Sequence, residues 1–173
     1  MYLIDTNVIS EARKGRAADA GVVAFFRGCV EQGTRLWLSV VTVGELRRGV
    51  DLIRHRGDAA QADKLEAWLA RLVRDYRDSI LPFDLEAAQV WSRLRVPHPE
   101  NSLDKQIAAT ALLHDLTVAT RNTADFASTG VRLVNPFSQS TERWHDRSRA
   151  RASRPRPLPP RSRCRPSSRA SAT

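Results

Sequence analysis

Residues 1–10 read MYLIDTNVIS, and the fold turns on how Ile4 gives way to Asp5. Tyr2, Leu3 and Ile4 make a short apolar run of the kind that forms a fully buried strand. A carboxylate that follows at once must lie at the carboxyl end of that strand, because burying it uncompensated costs several kcal/mol. Asp and Asn cap turns and helix starts by bonding nearby backbone amides, which gives Asp5 two local explanations. A metal ion held at the strand end gives a third.

Working outward, DTNVISEARKG (5–15) turns into a short helix that stops near Gly15, and Val22, Phe25, Phe26 and Val30 then recur at helical spacing. RLWLSVVT (35–42) is a β-branched apolar run and reads as a second buried strand. A helix is expected over 42–55, with Leu46, Val50 and Ile53 on one side and a stop at Gly57. A longer one carries Leu65, Trp68, Leu69, Leu72, Val73 and Tyr76 at i, i+3, i+4 and i+7 spacing. SILPF (79–83) gives a short strand and 85–94 a further helix, ended by the loop VPHPEN (96–101), where two prolines forbid continuation. SLDKQIAATALLHD (102–115) is an Ala-rich helix able to lie close against a sheet. TVATRN (117–122) and VRLVNPF (131–137) are the last two strands, separated by TADFASTG (123–130). Strands alternating with helices imply an α/β domain with a mostly parallel sheet covered on both faces.

The bulk properties narrow the function. A chain of 173 residues fits one domain that buries roughly two-thirds of its unfolded surface and needs no staples. Cys29 and Cys164 form no CxxC pair, which argues against a zinc site or disulfide framework and suits a reducing cytosol. The first apolar run is three residues long with no basic segment before it, so no signal peptide is expected. No run approaches the roughly 18 apolar residues of a spanning helix, and a cytoplasmic protein without membrane contact is expected. Of the net charge of +9, the segment 141–173 carries +8 (ten Arg against Glu142 and Asp146), which leaves +1 for residues 1–140. The Arg-, Pro- and Ser-rich tail, 138–173, lacks the apolar residues needed to fold and is expected to be disordered. It is either a loose RNA-binding extension or an incidental one.

Ligands of parallel sheets bind beyond the carboxyl ends of the strands. Asp5 follows strand one, Glu45 lies a few residues past WLSVV in the first turn of the next helix, Asp104 begins the Ala-rich helix, and Asp125 falls five residues after TVAT. Each has a local explanation: TVGE (42–45) fits a capping box, and Asp104 and Asp125 suit helix N-terminal dipoles. Together they are expected to converge, and converging carboxylates repel unless a cation compensates them. Oxygen donors with water sites to spare suit Mg²⁺, or Mn²⁺ as a substitute. Such ions support phosphodiester hydrolysis by activated water, with no side-chain nucleophile. His55, His98, His114 and His145 fall in no triad pattern, and no Gly-rich phosphate loop is present. His98, between prolines, is the one histidine of interest.

LIDTNVIS (3–10), SVVTVGEL (39–46), SLDKQIAATAL (102–112) and VATRNTADF (118–126), followed by VRLVNPF, resemble in order and spacing the PIN-domain ribonucleases, particularly VapC-type toxins of toxin-antitoxin pairs and their FitB-like relatives. The resemblance covers residues 1–137. It implies a three-layer α/β/α PIN-like domain and a Mg²⁺-dependent endoribonuclease that cuts RNA, is held inactive by a cognate antitoxin and forms a homodimer. By position it makes Asp5 and Asp104 the firmest metal ligands, with Glu45 and Asp125 completing the acidic set. Thr120 and Asn122 would orient a ligand or water, and Thr6 and Asn7 would support the first turn. Arg47, Arg48, Lys105 and Arg121 are the cations nearest these motifs and candidates for RNA phosphates. The tail departs from the family, whose members end soon after the last strand.

Two competitors follow from the same residues. Haloacid-dehalogenase-like phosphatases also place an Asp after strand one but need a second acid two residues on, where this chain has Asn7. A non-catalytic RNA- or protein-binding module would use the acids as caps alone, and Mg²⁺ would then neither shift its melting temperature nor support cleavage.

Overall fold

The computed structural model describes residues 1–138. The expected tail, from Gln139 onward, lies outside the described residues. Five strands, β1 (Tyr2–Ile4), β2 (Leu36–Ser39), β3 (Ile80–Leu81), β4 (Thr117–Ala119) and β5 (Arg132–Val134), form one sheet in the order β3-β2-β1-β4-β5. Every pairing is parallel. Six helices connect them: α1 (Thr6–Ala12), α2 (Ala20–Glu31), α3 (Val40–His55), α4 (Ala59–Asp75), α5 (Leu85–Leu94) and α6 (Ser102–Leu113). Among the described residues none is long and apolar enough to cross a membrane.

Successive strand residues face opposite sides of a sheet, and the core obeys that alternation. Ile4 and Ala119 enter one cluster with Val8, Phe25, Val50 and Leu69, drawn from α1 to α4. Leu3 and Val118 enter the other, with Ile107, Ala108 and Ala111 of α6. Leu3 and Ile4 are both fully buried, so truncating either to Ala would cost about 2–5 kcal/mol. α6 is buried around most of its circumference, from Ile107 through Ala111, and its small side chains let its axis approach the sheet closely. α3 and α4 form a hairpin whose turn contains Gly57 at φ +90°, a conformation in which a Cβ would be strained.

Three sequence expectations change. β2 ends at Ser39, and Val40 and Val41 open α3 instead of extending the strand. The cause is local: the Ser39 hydroxyl accepts from the Val41 amide at 3.2 Å and starts the helix two residues early, overriding the β-branched run. Consequently 42–45 is not a capping box, and Glu45 sits in the second turn of α3, free of any capping duty. Val30 is 80 % exposed and leaves the apolar stripe of α2.

Candidate active site

The sheet order reverses at β1, with β2 on one side and β4 on the other, and this is where a doubly wound sheet opens a crevice at its carboxyl edge. Asp5 and Thr120 are the first residues past the paired strands β1 and β4. Asp5 is only 3 % exposed and is the N-cap of α1. Its Oδ1 accepts from the Thr6 amide at 2.7 Å, while its Oδ2 accepts from the Asn7 side-chain amide and the Thr120 hydroxyl, each at 2.6 Å. Thr120 Oγ1 in turn accepts from Asn7 Nδ2 at 3.2 Å and the Asn122 amide at 3.0 Å. Asn7 Oδ1 accepts from the Arg121 amide at 3.0 Å. DTN and TRN are therefore one cross-strand network. Asn7 belongs to it as a donor to the carboxylate, a part that a second acid could not play while ionised.

The other three carboxylates surround this network. The Thr6 hydroxyl donates to Glu45 Oε2, which ties α1 to α3. Asn101, at φ +53° just before α6, donates through Nδ2 to Asp125 Oδ1 at 3.2 Å. Asp104 lies in the first turn of α6. Its carboxyl is pushed up to about 6, first by burial and then by the negative charges of Asp5, Asp125 and Glu45. One carboxyl group thus senses all three others, which makes the four acids a single electrostatic cluster. Asp5 is also raised, by burial chiefly and by Glu45, against the opposing pull of its hydrogen bonds to Thr120, Thr6 and Asn7.

The donor set is hard oxygen throughout, and among the described residues no cation pairs with Asp104 to compensate its repulsion; both features fit a divalent ion of the Mg²⁺ class. As the side chains stand, no three His, Cys, Asp or Glu residues among those described form a ready cage. Asp5 already spends three of its roughly four lone-pair sites on protein donors. Such a site suits an ion bound through few carboxylates and several waters.

The cations are arranged otherwise than the sequence suggests. Lys105 is 1 % exposed, its ammonium donating to the His98 carbonyl and lying 3.8 Å from Glu100, so it has no face for a phosphate. A lysine beside an acid on a polar-looking first turn reads as solvated, but α6 is enclosed at that position. Arg47 is turned away to Glu66 of α4 at 2.8 Å, and Arg121 lies 4.6 Å over the Phe137 ring. Arg48 is exposed, one turn of α3 from Glu45. Asn101 escaped the sequence reading altogether; its only signal is that Asn tolerates the left-handed conformation that precedes a helix.

Beside the acids a groove of about 230 Å³ runs between α1, α3 and α4. Thr6 and Glu45 lie at its polar end, and Leu46, Val50, Ile53 and Trp68 make its apolar walls.

Residues 2–131 match the PIN domain family model. The chain is 36 % identical over 152 residues to Toxin FitB of Neisseria gonorrhoeae, covering 84 % of this chain and all of that one. It is 32 % identical over 143 residues to VapC ribonuclease Y4jK of Sinorhizobium fredii, covering 79 % and 98 %. In three dimensions it matches the crystal structure of FitAcB from Neisseria gonorrhoeae with a TM-score of 0.69 at 34 % identity, over 80 % of this chain and all of that one. The structure of FitAB bound to an IR36 DNA fragment gives the same score at 32 % identity, over 81 % and 98 %. With its fold, its order of acidic motifs and these relatives in agreement, the chain belongs to the PIN domain family.

Proposed function

We propose that this chain is an endoribonuclease of the VapC type, the toxin of a toxin-antitoxin pair, and that it hydrolyses RNA phosphodiesters with Mg²⁺, for which Mn²⁺ can substitute. The observation that supports the reading is the gathering of Asp5, Glu45, Asp104 and Asp125 near the carboxyl edge of the sheet, with Asp104 raised by burial first and then by the charges of the other three. The ribonuclease assignment of a 32 %-identical relative supports it.

Asp5 and Asp104 would hold the ion, with Glu45 and Asp125 adding charge and waters around it. A divalent ion supplies Lewis acidity toward a phosphoryl oxygen and makes water a usable nucleophile at neutral pH. The remaining work belongs to the protein. Thr120, Asn7 and the Thr6 amide fix the rotamer of Asp5, the Thr6 hydroxyl holds Glu45 toward the same corner, and Asn101 does so for Asp125. Asn122, whose amide is bonded to Thr120, presents its side chain at an exposed position where a water or a ribose could be oriented. Arg48 and Arg121 are the exposed cations for RNA phosphates, with Arg47 in a secondary place because Glu66 holds it.

The antitoxin partner is inferred from the complexes in which the similar toxins are found, and the groove ending at Glu45 offers it an apolar seat next to the acids. A homodimer and a cytoplasmic location, where both RNA and a small protein partner are accessible, complete the reading. It is tested by incubating total RNA with the purified wild type and Asp5→Asn in Mg²⁺, Mn²⁺ or EDTA. Metal-dependent cleavage lost in the variant, with its circular dichroism unchanged, is expected; cleavage that persists in EDTA or in Asp5→Asn overturns the site.

A further inference from the structure

Lys105 is the most fully enclosed charged side chain in the described residues, and the nuclease reading gives it no part. Its burial has to be compensated, and what compensates it is the α5–α6 connection: the ammonium donates to the His98 carbonyl and sits 3.8 Å from Glu100, while its backbone amide donates to the Asn101 carbonyl at 3.0 Å. The first turn of α6 thus grips residues 98–101 at three points. The segment so gripped ends on Asn101, whose left-handed backbone aims its amide at Asp125. Asp125 comes from the far side of β4, in a stretch with no regular helix of its own before Ala127. Its side chain is tied to the α6 corner through Asn101.

We propose that Lys105 is a positioning residue: its buried ammonium clamps residues 98–101 so that Asn101 holds Asp125 against Asp104. The inference rests on the reading of the acids as a divalent-metal site. It explains why a lysine is buried one position after Asp104, where an apolar residue would avoid desolvating a charge. An apolar side chain would fill the space but leave the His98 carbonyl and the loop unanchored.

The chain of contacts makes a specific non-additivity the decisive readout. Mn²⁺ affinity is measured by electron paramagnetic resonance on the full chain as wild type, Lys105→Met, Asn101→Gly, Asp125→Asn and the double variant Lys105→Met/Asp125→Asn. Asn101→Gly keeps the left-handed backbone while deleting the amide, and it carries the test should Lys105→Met not fold. Lys105→Met and Asn101→Gly are each expected to weaken Mn²⁺ binding by roughly tenfold, the scale of lost support to a ligand. The double variant should bind no more weakly than Asp125→Asn alone, because the clamp acts only through that carboxylate. Wild-type affinity in Asn101→Gly, or a Lys105→Met effect that adds in full to that of Asp125→Asn, overturns the inference while leaving the metal site standing. Failure of the wild type itself to bind Mn²⁺ overturns the metal reading and this inference with it.

Discussion

Asp5 and Asp104 carry the same charge into the same corner of the sheet, yet the protein holds them in opposite ways. At the end of β1, Asp5 is almost wholly buried and accepts three hydrogen bonds, so burial and donors pull against each other. At the start of α6, Asp104 meets burial and three like charges, offset only weakly by the backbone. The first carboxylate is part of the fold's own hydrogen-bond accounting; the second is a charge that the fold tolerates. Burial disfavours both charges, but hydrogen bonds to Thr120, Thr6 and Asn7 offset part of that for Asp5 and leave donors that would lose their acceptor, whereas Asp104 has three like charges and a weak backbone bond. Two acids that look equivalent in a motif thus differ in how the fold holds them: one is bonded on both oxygens, the other meets mainly burial and like charges.

That contrast breaks most sharply if the two Asp→Asn variants are compared. On the proposed reading both are expected to lose cleavage to background, since each would remove a ligand from the same ion. Their stabilities without metal should move in opposite directions. Asp104→Asn removes repulsion and should raise the melting temperature at pH 7. Asp5→Asn turns an amide toward the donors that its carboxylate accepted, and should lower stability by about 1–3 kcal/mol while remaining folded. Thermal melts in EDTA decide it; equal shifts of the same sign would erase the distinction.

The next test enters through the cradle. Thr120→Val leaves Asp5 Oδ2 with Asn7 alone and deprives the Asn122 amide of its acceptor. Activity at saturating Mg²⁺ should fall by about 10- to 100-fold and metal affinity should weaken in parallel. Thr120→Ser, which keeps the hydroxyl, should recover most of both. No recovery would mean that the methyl packing of Thr120 matters and its hydrogen bond does not.

A gentler probe is pH. The Asp104 carboxyl sits near 6 in the fold against an ordinary value of 3.8. Its folded form therefore holds the proton more tightly than its unfolded form, and the associated stability is present below pH 4 and lost as pH rises through about 6. Asp5 shifts in the same direction. In EDTA the melting temperature should fall between about pH 4 and 6, levelling off above that, and Asp104→Asn should flatten that slope. With Mg²⁺ the slope should reverse, because the ion binds the ionised carboxylates. A slope in EDTA that is unchanged in Asp104→Asn would assign it to other groups.

The strand-helix alternation, and the placing of four acids just past strand ends or at helix starts, are legible in the sequence because both depend on short-range signals: apolar runs, turn residues and spacing. Where it misled, a longer-range or competing local effect decided. Ser39 captured the Val41 amide and turned a β-branched run into a helix start. Lys105 reads as a solvated cation, and Arg47 as one open to RNA phosphates, because nothing in their neighbours along the chain announces a loop carbonyl or a glutamate on another helix. Asn101 was invisible for the same reason, since its partner Asp125 lies 24 residues away.

Arg47 and Arg48 give the smallest and most discriminating contrast. They are adjacent in α3, but Arg48 lies three residues from Glu45 and shares its face, whereas Arg47 reaches Glu66, which Arg54 also bonds at 2.6 Å. With both partners of the Arg47 pair nearly half exposed, Arg47→Ala should leave the melting temperature almost unchanged, and Glu66 keeps Arg54 as a partner. It should leave RNA affinity unchanged. Arg48→Ala should weaken RNA binding modestly and uniformly across sequences, and lower the slope of log affinity against log salt by about 1, as loss of one phosphate contact does. Fluorescence anisotropy in the Asp5→Asn background, where RNA stays intact, measures both. An altered salt slope in Arg47→Ala alone would show that Glu66 releases its arginine when RNA arrives, and would move the RNA path from the Glu45 face of α3 toward α4.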